Sequence, residues 1–279
     1  MLETLMDILT HKVPLGQAVA TVVDWMTLAF ASEFRVFSNI LESIIQGMEK
    51  GLLMGHPLLV IAVFTALTWV LRKSKKTALF CLVGFLLILN LGLWDETAAT
   101  MALIITSTLL SLAIGIPMGI LNAHNRFFYI ATRPLLDFMQ TVPPFVYLIP
   151  ALMFFGLGEV PGVISTVIFA MPPAIRLTCL GIQQIPAELI EAGKAFGCTS
   201  RQMLTKIELP SAFPAIMMGI NQTIMMALSM VVIAALIGAG GLGAAVMRAL
   251  ATVDVGRGFE SGLCIVILAM LLDRIIRAE

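Results

Sequence analysis

The feature that most constrains this chain is a series of long segments without a single Asp, Glu, Lys or Arg. A helix needs about 20 mostly apolar residues to cross the hydrocarbon core of a bilayer. In lipid, only a helix or a closed barrel satisfies its own backbone hydrogen bonds. We therefore expect an all-α, polytopic membrane protein with about seven spanning helices. The uncharged segments are 51–71, 77–94, 97–125, 138–158, 160–175, 209–247 and the shorter 261–272.

The composition agrees with that class and argues against others. Of the 279 residues, 59% are hydrophobic and 12% are charged, whereas a soluble domain is about 25% charged. The 17 basic and 17 acidic residues balance, so we expect membrane lipid and not nucleic acid as a partner. The four cysteines and three histidines are scattered along the chain, so we expect no metal site.

Residues 1–50 are amphipathic and are not expected to span the membrane. Glu3 and Asp7 stand where a cleaved signal peptide would be basic, so we expect no such signal. Apolar residues recur at helical spacing, which is typical of a helix lying in the outer membrane interface. A soluble packing tail is the open alternative. The apolar positions are Val22, Val23, Met26, Phe30, Ile40, Ile44, Ile45 and Met48.

Basic residues lie in alternate connections between the uncharged segments. Twelve of the 17 Lys and Arg residues fall on one side of a seven-span arrangement, and basic connections stay in the cytoplasm. This predicts a multi-pass membrane protein with its N-terminus outside and its C-terminus inside. The expected units are an outer or interfacial region 1–50, two peripheral helices in 51–96, a core transmembrane domain 97–272 containing a cytoplasmic coupling loop 183–210, and a cytoplasmic tail 273–279.

The charged stretch 186–210 has the signals of two helices joined by an elbow. Pro186 suits the first helical position, and Gly197 stands where a helix commonly ends in a left-handed residue. Thr199 followed by Gln202 matches a capping box that would begin a second helix. We expect Pro210 to end that second helix before the next span.

The first of these helices has a surface suited to docking. Small side chains at Ala192 and Gly193 lie next to the larger Phe196, a pattern that can insert into a groove on another protein. Glu191 is expected to fix the loop through hydrogen bonds or an ion pair. A mere connection between spans is usually far shorter.

This loop resembles the EAA loop of ATP-binding-cassette importer permeases, which reads Glu-Ala-Ala, three residues, Gly, nine residues, Ile-x-Leu-Pro. The spacing here is the same, with Gly193 replacing the second Ala. That replacement costs about 1 kcal/mol of helix propensity but keeps the surface small. The residues that the resemblance implies for coupling to an ATPase are Glu191, Ala192, Gly193, Phe196, Gly197, Ile207, Leu209 and Pro210.

Three further stretches, 135–156, 172–182 and 233–243, resemble the permeases of glycine betaine/proline betaine importers. The resemblance implies a type I importer permease fold, a place in the cytoplasmic membrane of a bacterium or archaeon, and a cargo that is a quaternary ammonium osmoprotectant. It also implies a complex of two permeases, two ATPase subunits and an extracytoplasmic substrate-binding protein. The sequence lacks the P-loop motif, so ATP and Mg²⁺ are expected on the ATPase partner and no cofactor on this chain.

Polar residues within two apolar segments are candidates for the translocation path. Pro143 and Pro144 should break their helix, and the freed carbonyl groups are expected to face a cavity. Phe145 and Tyr147 could offer aromatic faces to a quaternary ammonium. The alternative is hydrogen bonding between helices with ordinary methionine packing. The candidates are Gln140, Thr141, Pro143, Pro144, Phe145, Tyr147, Asn221, Gln222 and Met225.

The stretch GAGGLG at 238–243 fits the spacing of a dinucleotide-binding motif but lacks the strand that such a motif follows. Its glycines would either let helices pack closely or form a hinge at the outer end of a span. We include Gly238, Gly240 and Gly241 in the candidate path as a gate.

Two other classes of protein remain to be compared with an ATP-driven importer. An ion-coupled secondary transporter of small zwitterions should show inverted repeats or paired acidic residues within spans. Asp137 is the only acidic candidate near the middle of the chain. A membrane enzyme would need a nucleophile with its base, or a cluster of metal ligands, and neither pattern occurs. We therefore expect a transport subunit without catalytic residues.

Overall fold

A computed structural model describes residues 14–276, and the regular elements within that range are all helices. The prediction of an all-α protein is therefore confirmed. A π-helical turn, Leu204–Glu208, and a 3₁₀ turn, Ala235–Ile237, adjoin the α-helices. The α-helices are α1 Leu15–Ala29, α2 Ala31–Leu53, α3 Pro57–Arg72, α4 Lys75–Asn90, α5 Trp94–His124, α6 Arg126–Thr141, α7 Pro144–Phe155, α8 Glu159–Gln183, α9 Ala187–Ala195, α10 Ser200–Met203, α11 Leu209–Ala234, α12 Gly241–Thr252 and α13 Val255–Ile276.

Between four and six membrane spans are supported by helix length and apolarity. Two further spans require counting bent helix pairs, α2 with α3 at 98° and α6 with α7 at 100°. The expected number of seven is thus not confirmed, because α3 and α4 have only 16 residues each. The four long spans are Trp94–His124, Glu159–Gln183, Ser200–Ile237 and Val255–Ile275.

Two uncharged segments are divided where their glycines and prolines predicted it. Within 209–247, Gly238, with φ 88°, separates α11 from α12, at the expected end of a span. The segment 138–158 is divided by the bend after α6, at the predicted break. In contrast, α8 continues past Arg176 to Gln183, and α13 extends well beyond 261–272. Absence of charge locates apolar chain, but backbone geometry decides where a helix ends.

Close packing of α5, α8 and α11 forms the centre of the fold. A Cβ atom added at Gly119 would lie 2.6 Å from Thr178 Cβ, and one added at Gly181 would lie 2.8 Å from Ala215 Cβ. Such small residues let helix backbones approach each other in a membrane. The contacts also show that α5 and α8 run in the same direction, while α11 runs in the opposite direction.

The remaining helices surround this centre. Gly84 of α4 packs against Ile267 and Leu271 of α13. Leu41 and Ile45 of α2 are buried in a cluster that includes residues from the beginnings of α5 and α8. The amphipathic N-terminal region is therefore packed against the core from α2 onwards, while Glu3 and Asp7 lie outside the described residues.

Candidate functional site

The predicted elbow is present between α9 and α10. Gly197 has φ 72°, and the Cys198 and Gly197 N–H groups donate to the carbonyl oxygens of Gly193 and Lys194 at 3.0 and 2.9 Å. These two bonds form a Schellman motif, which satisfies carbonyl groups at the end of a helix. The left-handed glycine is confirmed, and Pro186 is the N-cap of α9, immediately before its first residue.

The second helix begins with the predicted capping box. The Thr199 N–H group donates to Gln202 Oε1 at 2.8 Å, and the Gln202 N–H group donates to Thr199 Oγ1 at 3.4 Å. Both bonds satisfy donors that a helix start leaves free. The chain direction therefore changes within the residues between Ala195 and Ser200.

Gly193 lies inside this elbow and does not form part of its surface. It is buried, and a Cβ atom there would meet Ile207 Cδ1 at 2.6 Å and Met203 Cε at 2.8 Å. The prediction that Gly193 adds to a docking surface was wrong, because this side of α9 packs against the second helix. Its missing side chain instead lets the two helices of the elbow approach.

The opposite side of α9 is open. Phe196 is 89% exposed, and Ala192 and Glu191 are also exposed. Glu191 makes no hydrogen bond or ion pair with any residue in the range 14–276, so the expected anchoring within this chain is not found. An exposed aromatic ring beside a small residue is a surface that another protein can cover.

Pro210 does not end the second helix, contrary to the prediction. It is the second residue of α11, directly after the π-helical turn. The helix continues into α11 through the π-helical turn, with the Leu209 N–H group bonded to the Leu204 carbonyl oxygen. Ile207 and Leu209 thus belong to one continuous helical segment, Ser200–Ile237.

A side-chain pair that no sequence pattern indicated lies just before the start of α11. His124 Nε2, at the end of α5, lies 2.9 Å from Glu208 Oε2 in the π-helical turn. Glu208 is only 7% exposed. The two residues are 84 positions apart in sequence, so no local spacing could indicate their contact.

The bend between α6 and α7 confirms the predicted break at the two prolines. Pro143 cannot donate to the Met139 carbonyl oxygen, which instead accepts from the Tyr147 hydroxyl group at 2.7 Å. The Phe138 carbonyl oxygen also accepts from Tyr147, at 3.1 Å. Of these two, only the Met139 carbonyl is freed by a proline, because the Phe138 carbonyl also accepts from the Val142 N–H group at 3.1 Å. The Met139 carbonyl oxygen is therefore satisfied by a side chain of the protein.

Polar residues near this bend line a cavity of about 290 Å³ between α5, α6 and α8. Asp137 Oδ1 pairs with Arg176 Nη2 at 2.6 Å, and Arg133 and Asn122 also line the cavity. Thr141 donates to the Asp137 carbonyl oxygen. Gln140 and Thr141 are not among the residues that line it, and their role in a path stays a prediction.

The two polar residues predicted on α11 point in different directions. The Asn221 side-chain amide donates to Asp273 Oδ1 of α13 at 3.0 Å, which matches the alternative of hydrogen bonding between helices. Gln222 and Met225 are exposed on α11, and Phe145 is exposed on α7. The structure therefore separates Asn221 from the other candidates for a path.

The glycines at 238–243 let backbones pack closely. Gly241 has φ 76° and contacts Thr100 of α5, and the Leu242 N–H group donates to Thr100 Oγ1 at 2.8 Å. A Cβ atom at Gly243 would lie 2.6 Å from the Val231 carbonyl oxygen. The alternative of close packing is thus present, and the role of Gly238, Gly240 and Gly241 as a gate stays a prediction.

Together these features describe an apolar helical domain with a capped, exposed elbow at one end of α11 and a glycine-rich turn at the other. Within residues 14–276, no three His, Cys, Asp or Glu side chains are grouped closely enough to hold a metal ion.

The chain belongs to the family of binding-protein-dependent transport system inner membrane components, which matches residues 111–278. It is 48% identical to the glycine betaine transport system permease protein OpuAB of Bacillus subtilis, over 95% of this chain and 93% of that protein. It is 45% identical to the glycine betaine/proline betaine transport system permease protein ProW of Escherichia coli, over 96% of this chain and 76% of that protein.

A solved structure supports the fold. The inward-facing MetNI methionine ABC transporter contains a chain that superimposes with a TM-score of 0.59 at 24% identity, covering 64% of this chain and 92% of that one. The predicted importer-permease fold is therefore confirmed. The chain is a transport subunit and not an enzyme, and ATP hydrolysis belongs to a partner subunit. The alternative of an ion-coupled secondary transporter is set aside.

Proposed function

We propose that this chain is the permease of an ATP-driven importer for glycine betaine, proline betaine or a related quaternary ammonium osmoprotectant. The observation that carries the proposal is the identity of 45–48% to permeases named for glycine betaine transport, which extends over at least 95% of this chain. The exposed elbow supplies a place at which a separate ATPase can act on such a permease.

We further propose that the elbow lies in the cytoplasm, with the N-terminus outside and the C-terminus inside. The twelve basic residues of the alternate connections support this orientation. The end of α5 lies beside the π-helical turn, so His124 and the elbow would face the same side of the membrane. In this arrangement 1–50 is outer or interfacial, 51–96 is peripheral, 97–272 is the core and 273–279 is a cytoplasmic tail.

Force from the ATPase would enter through α9. Ala192 and Phe196 would insert into a groove of an ATPase subunit that binds ATP and Mg²⁺, while this chain binds no cofactor. Met203 and Ile207, which contact Gly193, would carry a displacement of α9 to the π-helical turn. A second copy of this chain, membrane lipid around both copies and an extracytoplasmic binding protein would complete the importer.

The cargo would pass along the exposed faces of α7 and α11. Gln222 and Met225 share one side of α11, and the exposed ring of Phe145 can attract a quaternary ammonium through its π-face. Tight binding is not required of this surface, because the permease must release its cargo.

Transport by the reconstituted complex tests the proposal. The permease is placed in liposomes with its ATPase, the binding protein is added outside, and uptake of radiolabelled glycine betaine is measured. We expect uptake that requires ATP within the liposomes and persists without a Na⁺ or H⁺ gradient. Uptake driven by an ion gradient without ATP would contradict the proposal. Competition by proline betaine, choline and carnitine ranks the cargo.

A further inference from the structure

His124 and Glu208 connect two elements that the proposed mechanism requires to move together. His124 lies at the end of α5, a helix of 31 residues, and its side chain is 47% exposed. Glu208 is the last residue of the π-helical turn, and its side chain is only 9% exposed. A carboxylate removed from water to this extent needs a partner, and His124 Nε2 at 2.9 Å is the partner present.

The His124 ring is held at both of its nitrogen atoms. Its Nδ1 atom lies 2.8 Å from the carbonyl oxygen of Ile120, one turn earlier in α5. Its Nε2 atom lies 2.9 Å from Glu208 Oε2 in the π-helical turn. These two contacts fix the orientation of the ring between α5 and the π-helical turn.

A continuous series of contacts leads from the elbow to this pair. Gly193 of α9 contacts Met203 and Ile207, and Ile207 precedes Glu208 within the π-helical turn. Glu208 contacts His124 of α5. One turn earlier in α5, Gly119 packs tightly against Thr178 of α8. A displacement of α9 can therefore be transmitted to the central helices through direct contacts between residues.

The π-helical turn itself is suited to a change of state. Its backbone bond from the Leu209 N–H group to the Leu204 carbonyl oxygen spans five residues, one more than the bond of an α-helix. Such turns occur frequently at functional sites. Conversion to α-helix would rotate the elbow relative to α11 by about one residue, or 100°. A side-chain bond from Glu208 to another helix opposes that rotation.

We propose that His124 and Glu208 are a positioning pair that holds the π-helical turn against α5, so that movement of α9 is transmitted to the transmembrane core. This role rests on the proposed ATP-driven function. It makes neither residue part of the cargo site or of the ATPase groove. It assigns the transmission of force to a contact between the EAA-like loop and α5.

The number of ATP molecules hydrolysed per glycine betaine imported measures this transmission. The reconstituted complex is prepared with wild-type permease, His124→Ala, Glu208→Gln and the double variant. We expect each single variant to raise ATP consumed per molecule imported by about tenfold, within the usual range of coupling between sites. The double variant should be no worse than the poorer single variant, because both changes remove the same interaction.

Two further variants separate positioning from general stability. His124→Lys keeps a positive donor opposite Glu208 and is expected to recover most of the coupling lost in His124→Ala. Arg274→Gln is the matched control, because Arg274 also makes a contact between helices, over the Phe80 ring at 4.6 Å, but lies on the peripheral α13. It should leave the ratio of ATP to cargo unchanged.

A second measurement does not depend on the identity of the cargo. Ser229 is exposed on α11, and Ser229→Cys is introduced into a chain whose four native cysteines are replaced. In the complex with wild-type His124 and Glu208, the rate of maleimide labelling should change at least several-fold when ATP is added. In the Glu208→Gln complex the ATP-dependent change should disappear while the ATPase remains bound.

These results distinguish failure of the pair from failure of the proposed function. Absence of glycine betaine uptake with wild-type permease contradicts the proposed cargo, but the labelling experiment still reads the transmission. Unchanged coupling and unchanged ATP-dependent labelling in Glu208→Gln would overturn the positioning role. If His124→Ala releases the ATPase, the nearly isosteric Glu208→Gln variant alone tests the positioning role. If His124→Ala keeps the ATPase but loses coupling, failure of His124→Lys to restore that coupling would also overturn the positioning role.

Discussion

At the scale of single residues, Gly197 determines the shape of the elbow. Its φ of 72° is readily adopted by glycine and occasionally by asparagine, but it is costly for a β-branched residue. Open space surrounds the position, since a Cβ atom there would meet no other atom within 4 Å. The requirement for glycine is therefore a requirement of the backbone.

Gly197→Val should reduce the amount of ATPase that copurifies with the permease and should reduce uptake in parallel. Forcing valine into this conformation costs roughly 1–2 kcal/mol, which the elbow can avoid by changing shape. Gly197→Asn is the matched control and should retain most of the copurifying ATPase and most of the uptake. Equal copurification and uptake for valine, asparagine and wild type would show that the left-handed elbow is not needed for docking.

Tyr147 has a structural role that its aromatic ring alone does not suggest. Its hydroxyl group supplies the Met139 carbonyl oxygen with the donor that Pro143 lacks. The sequence indicated the break at the prolines, but it could not show which side chain would satisfy the freed carbonyl group. That choice depends on the 100° bend, which brings α7 back beside the end of α6.

Tyr147→Phe should lower the stability of the purified permease by about 1 kcal/mol, the usual net value of one hydrogen bond. The aromatic face remains, so any contribution of the ring to cargo attraction is kept. Thermal unfolding in detergent measures the change, with Tyr129→Phe, on the exposed surface of α6, as the control. A Tyr147→Phe protein as stable as the control would exclude this role.

Residue-level predictions from the sequence succeeded at the elbow, where the cause is local. Gly197, Thr199 and Gln202 act within one turn of helix, and all three are found in their predicted geometry. Gly193 was assigned to the wrong side of α9 because its environment depends on Met203 and Ile207, which reach it only after the chain turns.

At the scale of elements, the glycine-rich turn between α11 and α12 is fastened to α5. Thr100 Oγ1 accepts from the Leu242 N–H group and donates to the Glu96 carbonyl oxygen. Arg248 of α12 also reaches Glu96 Oε1 of α5, at 3.2 Å. A gate at this position would have to move together with the first turns of α5.

Two neighbouring glycines allow this contact to be tested. Gly241→Ala places a methyl group against Thr100 and in a left-handed conformation, whereas a Cβ atom at Gly240 has no neighbour within 4 Å and no left-handed backbone. We expect Gly241→Ala to lower the free energy of unfolding by roughly 1–3 kcal/mol and to reduce uptake of glycine betaine. Gly240→Ala should have nearly the same stability and uptake as wild type. Identical behaviour of the two variants would contradict the close contact.

Element boundaries illustrate what an uncharged segment cannot reveal. The segment 209–247 contains no charge, yet α11 ends at Ala234 and α12 begins at Gly241. Conversely, α8 includes Arg176, whose charge is paired with Asp137 of α6. Charge describes the transfer of side chains into lipid, whereas helix ends depend on backbone conformation and on partners from other helices.

At the scale of the whole molecule, three tightly packed helices connect an elbow at one end to a glycine turn at the other. The membrane class and the loop were predictable because composition, span length and the EAA-like spacing are properties of the sequence. The His124–Glu208 pair and the packing of α2 on the core were not, since each joins residues more than 50 positions apart. The family match shows which kind of transport system contains this architecture.

The central claim is that the α9 elbow meets a separate ATPase. A photoreactive amino acid is placed at Phe196 in the full complex, and at Leu250, an exposed residue of α12 beyond the other end of α11, as the control. Irradiation in membranes is followed by identification of the cross-linked subunit. We predict that position 196 cross-links to the ATPase and position 250 does not. Cross-linking of the ATPase from position 250, or none from position 196 in an assembled complex, would contradict the account.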